Sequence, residues 1–304
     1  DRLDLAGDLV RNWIDYRVSG RRAPLLAGFK LTHRCDLRCH TCPFWRRPRQ
    51  ELSYSTVLDA LQTLHYAGAR ILILEGGEPL LWRDGQRRCE DIVRGAREIG
   101  FRRVGITTNG TLLITTSADV VWVSFDGLRE THESNRGRCW DAILANIAAS
   151  RHPKILGQVT ISRANWIEIP DLVRTLAGVV KGITVQFFYP YSESDELWLP
   201  WPERRFVLRQ LAGLKRQGYP IIDSFRVLSD LGAQPVRCHD WLIANAEPSE
   251  GRPGHAEIRT GCYLKGRAEM DCRRCGFAAH AELSRAYDLS LGPLVAGQRV
   301  FGFF

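Results

Sequence analysis

His33-Arg-Cys-Asp-Leu-Arg-Cys-His-Thr-Cys42 puts three cysteines into eight residues, at spacings of four and three. The residues just before it, Gly28 to Thr32, read as a short strand, so the cysteines leave on a loop at that strand's carboxyl end. Parallel α/β barrels place their chemistry at that end. Structural zinc takes four ligands, usually from two CxxC-like pairs, whereas three thiolates on one loop can hold three irons of a [4Fe-4S] cluster and leave the fourth iron open. The loop therefore predicts a reactive metal centre, Cys35, Cys39 and Cys42, above a parallel sheet.

Outward from this stretch, β-rich apolar runs alternate with amphipathic segments as far as about residue 217. The expected strands are Gly28 to Thr32, Arg70 to Leu74, Arg103 to Thr107, Val120 to Phe125, Leu156 to Ile161 and Ile183 to Phe188. Helical patterns lie near Ser53 to Tyr66, Arg87 to Ile99, Trp140 to Ser150, Ile167 to Val179 and Glu203 to Gln217, with a short element after Asn109. Six such units are fewer than the eight of a closed barrel, so the expected fold is α/β, a partial (β/α)6 TIM-type barrel with a small C-terminal cysteine-rich extension. The expected division is an N-terminal amphipathic helix at 1–26, the barrel at 27–219 and the extension at 220–304. In the first of these, Leu5, Leu9, Trp13 and Tyr16 form a stripe that either packs on the barrel or touches a membrane surface. Packing is the simpler expectation.

With 304 residues, 44% of them apolar, the chain can bury a proper core. Its nine cysteines are an odd number, most of them in groups near the two ends and many beside arginines, which suits metal ligation in a reducing compartment better than a disulfide framework. No apolar run approaches the ~20 residues of a membrane span, so the expected location is the cytoplasm, with peripheral membrane contact as a variant. The start at Asp1 leaves a removed leader open. The formal charge of +8 would favour an acidic electron donor, an anionic membrane surface or nucleic acid, or is simply a solvated basic surface. Nucleic acid is not expected as a partner, because the arginines are scattered, apart from Arg46 to Arg49, and form no stripe with interleaved aromatics.

The CxxxCxxC loop after the first strand resembles the radical SAM superfamily. Further motifs extend the resemblance: Glu75-Gly-Gly-Glu-Pro79 after strand two, Thr107-Thr-Asn-Gly110 after strand three and Ser124-Phe-Asp-Gly127 after strand four. All fall at the same end of successive strands, the agreement of motif with context that confirms a motif. The resemblance implies that Cys35, Cys39 and Cys42 hold a [4Fe-4S] cluster whose open iron is chelated by S-adenosylmethionine. It implies that Gly76, Gly77, Glu78 and Pro79 hold the methionyl amine, and that Thr107, Asn109, Ser124, Arg163 and Asn165 sit where further cofactor contacts fall. The family usually has an aromatic residue before the last cysteine, packing on adenine. This chain has Thr41 there, and Phe44 or Trp45 is expected to take that contact. The implied chemistry is reductive cleavage of the cofactor to a 5'-deoxyadenosyl radical, which removes a hydrogen atom from an unactivated carbon, with a flavodoxin or ferredoxin as reductant.

Beyond the barrel, Cys238, Cys262, Cys272 and Cys275 make a complete set for one four-iron cluster or one tetrahedral zinc. After such a barrel the arrangement resembles the twitch extension, a shortened SPASM domain, which implies a second, auxiliary [4Fe-4S] cluster. Cys89 and Cys139 lie in or beside helical patterns and read as ordinary buried thiols.

The substrate is the least legible part. The aromatic run Gln186-Phe-Phe-Tyr-Pro-Tyr191, with Trp198 and Trp201 beyond it, suggests an apolar pocket wall, which the end Val300 to Phe304 either covers or leaves alone. With the amphipathic N-terminus and the basic charge, it points to a lipid or isoprenoid chain activated for carbon-carbon bond formation. The alternative is a peptide or protein, as for many SPASM and twitch enzymes, although residues 1–26 offer no evident winged-helix recognition element. A non-catalytic iron-sulfur regulator is the third reading, disfavoured because the cofactor-binding turns would have no use in one.

Overall fold

The fold is seen in a computed structural model that describes residues 2–302 apart from 49, 191–194, 234–237 and 268–270, with side chains described from residue 5 onward. Of the positions singled out above, Arg49, Tyr191, Phe303 and Phe304 lie outside the described residues.

Six parallel strands carry the barrel: β1 (Leu26–Lys30), β2 (Ile71–Glu75), β3 (Arg103–Thr108), β4 (Val120–Phe125), β5 (Ile155–Ile161) and β6 (Gly182–Phe187). Each lies within about two residues of its expected span. Two more strands come from the extension. β7 (Ile243–Pro248) runs parallel to β1, and β8 (Ala256–Thr260) runs antiparallel to β7, giving the order β8-β7-β1-β2-β3-β4-β5-β6. The extension thus continues the sheet at its β1 edge.

The helices of the chain are α1 (Arg2–Ser19), α2 (Tyr54–Ala67), α3 (Cys89–Ile99), α4 (Arg129–Arg136), α5 (Trp140–Ala149), α6 (Ile169–Leu176), α7 (Trp201–Arg216), α8 (Phe225–Asp230), α9 (Ala278–Tyr287) and α10 (Leu291–Phe301). α4 was not foreseen, and the short element expected after Asn109 is absent: residues 109–119 form no helix or strand. Polar spacing explains both. Arg-Glu-Thr-His-Glu-Ser-Asn-Arg shows no apolar periodicity beyond a single buried His132, whereas Leu112 to Ile114 mimic a short apolar element without building one.

Alternation along the strands sorts the residues onto two faces. The outer face carries Phe29, Leu74, Ile106 and Val123, which pack under the helices in two large cores. On the inner face, the lower half is apolar: Ile73, Trp122 and Leu156 meet Ala296, Val300 and Phe301 of α10, which plugs the amino-terminal ends of the strands. The upper half is polar, with Lys30 paired to Glu75 at 2.6 Å and Thr184 donating to Gln158 at 2.8 Å. Ser124 and Asn245 lie on the same face by register.

The stripe on α1 packs on the protein. Leu5 is fully buried against Ile71, while Leu9, Trp13 and Tyr16 lie against Leu25, Trp241 and Tyr287. No described helix is long and apolar enough to cross a membrane.

Candidate functional site

The cysteine loop leaves β1 at the polar end of the inner face, and the turn after β2 lies directly against it. Gly77 N donates to the Thr32 carbonyl at 2.7 Å, and Glu78 N to the Arg34 carbonyl at 2.9 Å. Glycine is required at both preceding positions. A Cβ on Gly76 would lie 2.5 Å from Thr32 O, and one on Gly77 would lie 2.3 Å from Arg34 O. Gly76 also has φ +144°, a conformation that L side chains rarely adopt. The two glycines therefore let one loop backbone seat on the other.

Glu78, fully buried, accepts from Thr108 Oγ1 at 2.8 Å, Asn109 N at 2.7 Å and Leu80 N at 3.1 Å. Burial pushes its pKa up to about 7, against the pull of those hydrogen bonds. Such a carboxyl is set to receive an ammonium group, which would draw the pKa down again. Pro79 opens the short 3-10 turn that places Leu80 N on Glu78. Asn109 reaches the other way, donating to Asp36 at 2.7 Å and lying 3.7 Å from Cys35 Sγ. The third-strand turn thus ties the carboxyl to the cysteine loop. It is Thr108, not Thr107, that holds Glu78; Thr107 faces the lumen beside Trp122 in the register.

Thr41 is bonded to the end of α4. Its amide donates to Asn135 Oδ1 at 3.1 Å, and Asn135 Nδ2 donates back to Thr41 Oγ1 at 3.1 Å. Asn135 and Arg136, at the end of α4, both donate to Asp126, at 2.5 and 2.6 Å. The buried turn after β4 is thereby fastened to the cysteine loop. Burial alone would raise the Asp126 pKa, but Arg136 beside it holds the carboxyl below the usual range. Burial raises Cys39 to about 11, while Arg136 pulls it back.

Phe44 and Trp45 are both engaged. Phe44 meets Tyr263 of the extension edge-on at 5.9 Å, with Lys30 over its ring at 5.1 Å. Trp45 donates to the Cys39 carbonyl at 3.0 Å. Asn165 is buried and uses its amide in the fold, accepting from Ser162 N and donating to Asp126 O and Thr160 O. Arg163 is exposed, its amide bonded to Leu197 O at 2.9 Å. A cavity of about 180 Å³ opens between these turns, lined among others by His40, Thr41, Asn135, Thr160, Ser162 and Phe188.

The four distal thiols are brought together. Cys238 is raised to about 12, by burial first and then by Cys275, Cys262 and Cys272. None of the nine cysteines is in a disulfide, and Cys89 and Cys139 are buried. Among the described residues, no group of three or more His, Cys, Asp or Glu closes around a single ion. Thiols so raised would release protons on binding metal.

Of the aromatic run, Phe188 lines the cavity beside Thr41, while the other described rings face elsewhere. Phe187 is buried on the outer face, Tyr189 stacks on Phe277 and accepts from Asp271 N, and Trp198 and Trp201 flank the buried Arg204. These rings seat the extension on the barrel. Sequence reasoning missed Thr108, Asn135, Arg136, Lys30, Tyr263 and Arg204. Only Thr108 carried a signal, as the second threonine of its motif.

Comparison with known proteins agrees with this geometry. A family model described as "Radical SAM superfamily" matches residues 29–162. The GTP 3',8-cyclase of Rhodopseudomonas palustris (strain TIE-1) is 32% identical over 183 residues, which cover 55% of this chain and 53% of that protein. The AdoMet-dependent heme synthase of Methanosarcina barkeri is 32% identical over 198 residues, covering 59% of this chain and 55% of that protein. The chain thus spans about half the length of the curated relatives it matches. Among solved structures, Streptococcus suis SuiB bound to S-adenosylmethionine superposes with a TM-score of 0.64 at 13% identity, covering 96% of this chain and 70% of that one. That likeness extends the shared fold through the extension.

Proposed function

We propose, from the radical SAM domain that this chain carries over residues 29–162 and the cysteine-bearing extension behind it, that it is a radical SAM enzyme acting on a peptide or protein. Cys35, Cys39 and Cys42 would hold the reactive [4Fe-4S] cluster, and Cys238, Cys262, Cys272 and Cys275 an auxiliary one. Together with S-adenosylmethionine, the first supplies a 5'-deoxyadenosyl radical when reduced by a flavodoxin or ferredoxin.

The protein's own residues bind, orient and exclude water. Glu78 accepts the cofactor's ammonium, and Asn109 keeps Glu78 and the cysteine loop in register. The cavity beside Thr41 and Ser162 suits the adenine side of the cofactor. The inner face then receives the substrate carbon.

The polar upper half of that face carries the substrate reading. Lys30, Glu75, Gln158, Thr184, Gln186 and Asn245 make this half of the face polar, paired largely with one another and with their neighbours, and a polar face suits backbone amides better than an isoprenoid chain. The lipid reading is weakened, since the α1 stripe and, apart from Phe188, the described rings of the aromatic run are spent on packing. The fold shared with SuiB, which has also been seen bound to its precursor peptide SuiA, supports a peptide substrate without identifying one.

The test is 5'-deoxyadenosine formation by the reduced, iron-loaded protein. We expect acceleration by a short peptide encoded beside the gene and none by a lipid extract. The reverse pattern would overturn the substrate reading, and no cleavage under either condition would overturn the enzymatic one.

A further inference from the structure

Among the described residues Arg204 is the one fully buried arginine, at 0% exposure. It projects from α7 between three rings, with the guanidinium 4.5 Å from the centre of Phe187, 4.9 Å from Trp201 and 5.6 Å from Trp198. Its nitrogens donate to three backbone carbonyls: Nε to Leu199 at 2.9 Å, Nη1 to Cys275 at 3.0 Å and Nη2 to Arg274 at 3.2 Å. Among the described residues no carboxylate pairs with it. Burial and the neighbouring Arg274 hold its pKa below the ordinary value, and Cys275 works in the opposite direction.

Leaving a buried cation without a counter-charge is costly, and carbonyl dipoles and ring faces recover only part of that cost. A purely structural clasp could be made from a neutral side chain. Two of the three carbonyls, those of Arg274 and Cys275, belong to the loop that presents Cys272 and Cys275, and this loop is pressed on the barrel. Phe187 N donates to Gly276 O at 3.0 Å, and a Cβ on Gly276 would lie 2.4 Å from Phe187 Cβ. Four thiolates around an iron-sulfur core, or around zinc, leave a net negative centre.

We propose that Arg204 is the counter-charge of the four-cysteine site, a positioning residue that offsets the centre's negative charge and raises its reduction potential. The proposal rests on the reading of Cys238, Cys262, Cys272 and Cys275 as an auxiliary cluster. A cation beside a cluster favours its reduced, more negative form. Rings and carbonyls, with little water between them, leave that effect weakly screened, and Arg274, against the same Trp198 ring, adds a charge of the same sign.

The test uses the full chain with Cys35, Cys39 and Cys42 replaced by Ala, so that only the distal centre reports. If this parent binds no iron after reconstitution, the auxiliary-cluster reading fails, and the proposal with it. With iron bound, potentiometric EPR on Arg204→Met should show reduction disfavoured about tenfold, which is 59 mV lower for one electron. Arg204→Lys should keep most of the parent's potential. An unchanged potential in Arg204→Met at full iron content overturns the proposal while leaving the cluster in place. Urea unfolding of the iron-free proteins decides the matter if Arg204→Met loses its cluster. Iron-free Arg204→Met at least as stable as the iron-free parent supports a counter-charge, and clear destabilisation without metal marks a mere structural clasp and overturns it.

Discussion

Each cysteine site has an arginine behind it, and the two arginines are compensated differently. Arg136, near Cys39 and Cys42, is locked to the buried Asp126 at 2.6 Å, so its charge is already neutralised within the fold. Arg204, beside Cys275, has carbonyls and aromatic faces but no carboxylate among the described residues. The first site is self-sufficient electrostatically. It fastens its loop through a neutral ion-pair network, as suits a centre whose cofactor brings its own charges. On the auxiliary-cluster reading proposed above, the second site would leave a cation beside its ligands, which would suit a closed centre whose charge the protein must answer alone.

The largest expected effect separates the two sites by function. Replacing any one of Cys35, Cys39 or Cys42 by Ala should reduce 5'-deoxyadenosine formation to background and remove the iron of one cluster while leaving the other. Replacing Cys238, Cys262, Cys272 and Cys275 together should remove the second portion of iron and still permit uncoupled cofactor cleavage. If the distal replacement also abolishes cleavage, the division of labour is wrong.

Asp126→Asn would make Arg136 resemble Arg204. Removing one partner of a buried pair typically costs about 3–5 kcal/mol, because the remaining charge is left uncompensated. A loss of that size in denaturant unfolding of the iron-free protein is expected, with weaker iron retention at the first site. The pH dependence has a definite sign. Because the folded Asp126 pKa lies below its ordinary value of about 3.9, its stabilisation is fully present above that value. It is lost as pH falls through the lower, folded value. The acid limb of the stability profile should therefore flatten in Asp126→Asn.

A third effect tests how tightly the first site is assembled. Gly77→Ala drives a methyl group to within 2.3 Å of the Arg34 carbonyl, so either the turn after β2 or the cysteine loop must shift. Overpacking of this kind costs about 1–3 kcal/mol. We expect a loss of affinity for S-adenosylmethionine larger than the loss of iron, since the turn carries Glu78 and the loop carries the thiols. Gly276→Ala makes the same intrusion at the second site, against Phe187, and should disturb distal iron without changing cofactor affinity.

The contrast also marks where sequence was legible. Strands β1 to β6 could be read because their outer residues form short apolar runs closed by turn motifs, and the three-cysteine loop because its spacing is local. The counter-charges could not. Arg136 meets Asp126 from ten residues away, and Arg204 meets Cys275 across 71 residues of chain, so neither pairing leaves a periodic trace. The polar inner half of the sheet was hidden for a related reason: single residues such as Lys30, Gln158 and Asn245 look like solvent-facing positions until closure of the sheet turns them inward. The aromatic run was legible only in part: Phe188 lines the cavity, but the direction of each ring was not encoded, and Phe187, Tyr189, Trp198 and Trp201 serve Arg204 and the extension.

The smallest effect concerns Thr41, which stands where the family usually has an aromatic residue. Its bonds to Asn135 make it the fastening between the cysteine loop and α4. Thr41→Val keeps the backbone donor and size but loses the hydroxyl, leaving Asn135 Nδ2 with Asp126 alone. The expected cost is about 0.5–1.5 kcal/mol, with iron content retained. Asn135→Ala removes both Thr41 bonds and one donor to Asp126, and should cost more than Thr41→Val. If the two variants instead lose the same stability, the fastening is the backbone contact of His40 N with Asn135 O, at 3.0 Å, and the side chain at position 41 is free to be exchanged. Thr41→Phe then becomes informative. Tighter S-adenosylmethionine binding in that variant would place the adenine against residue 41, at the wall of the cavity shared with Ser162 and Phe188, and would mark the threonine as a choice for loop anchorage over stacking.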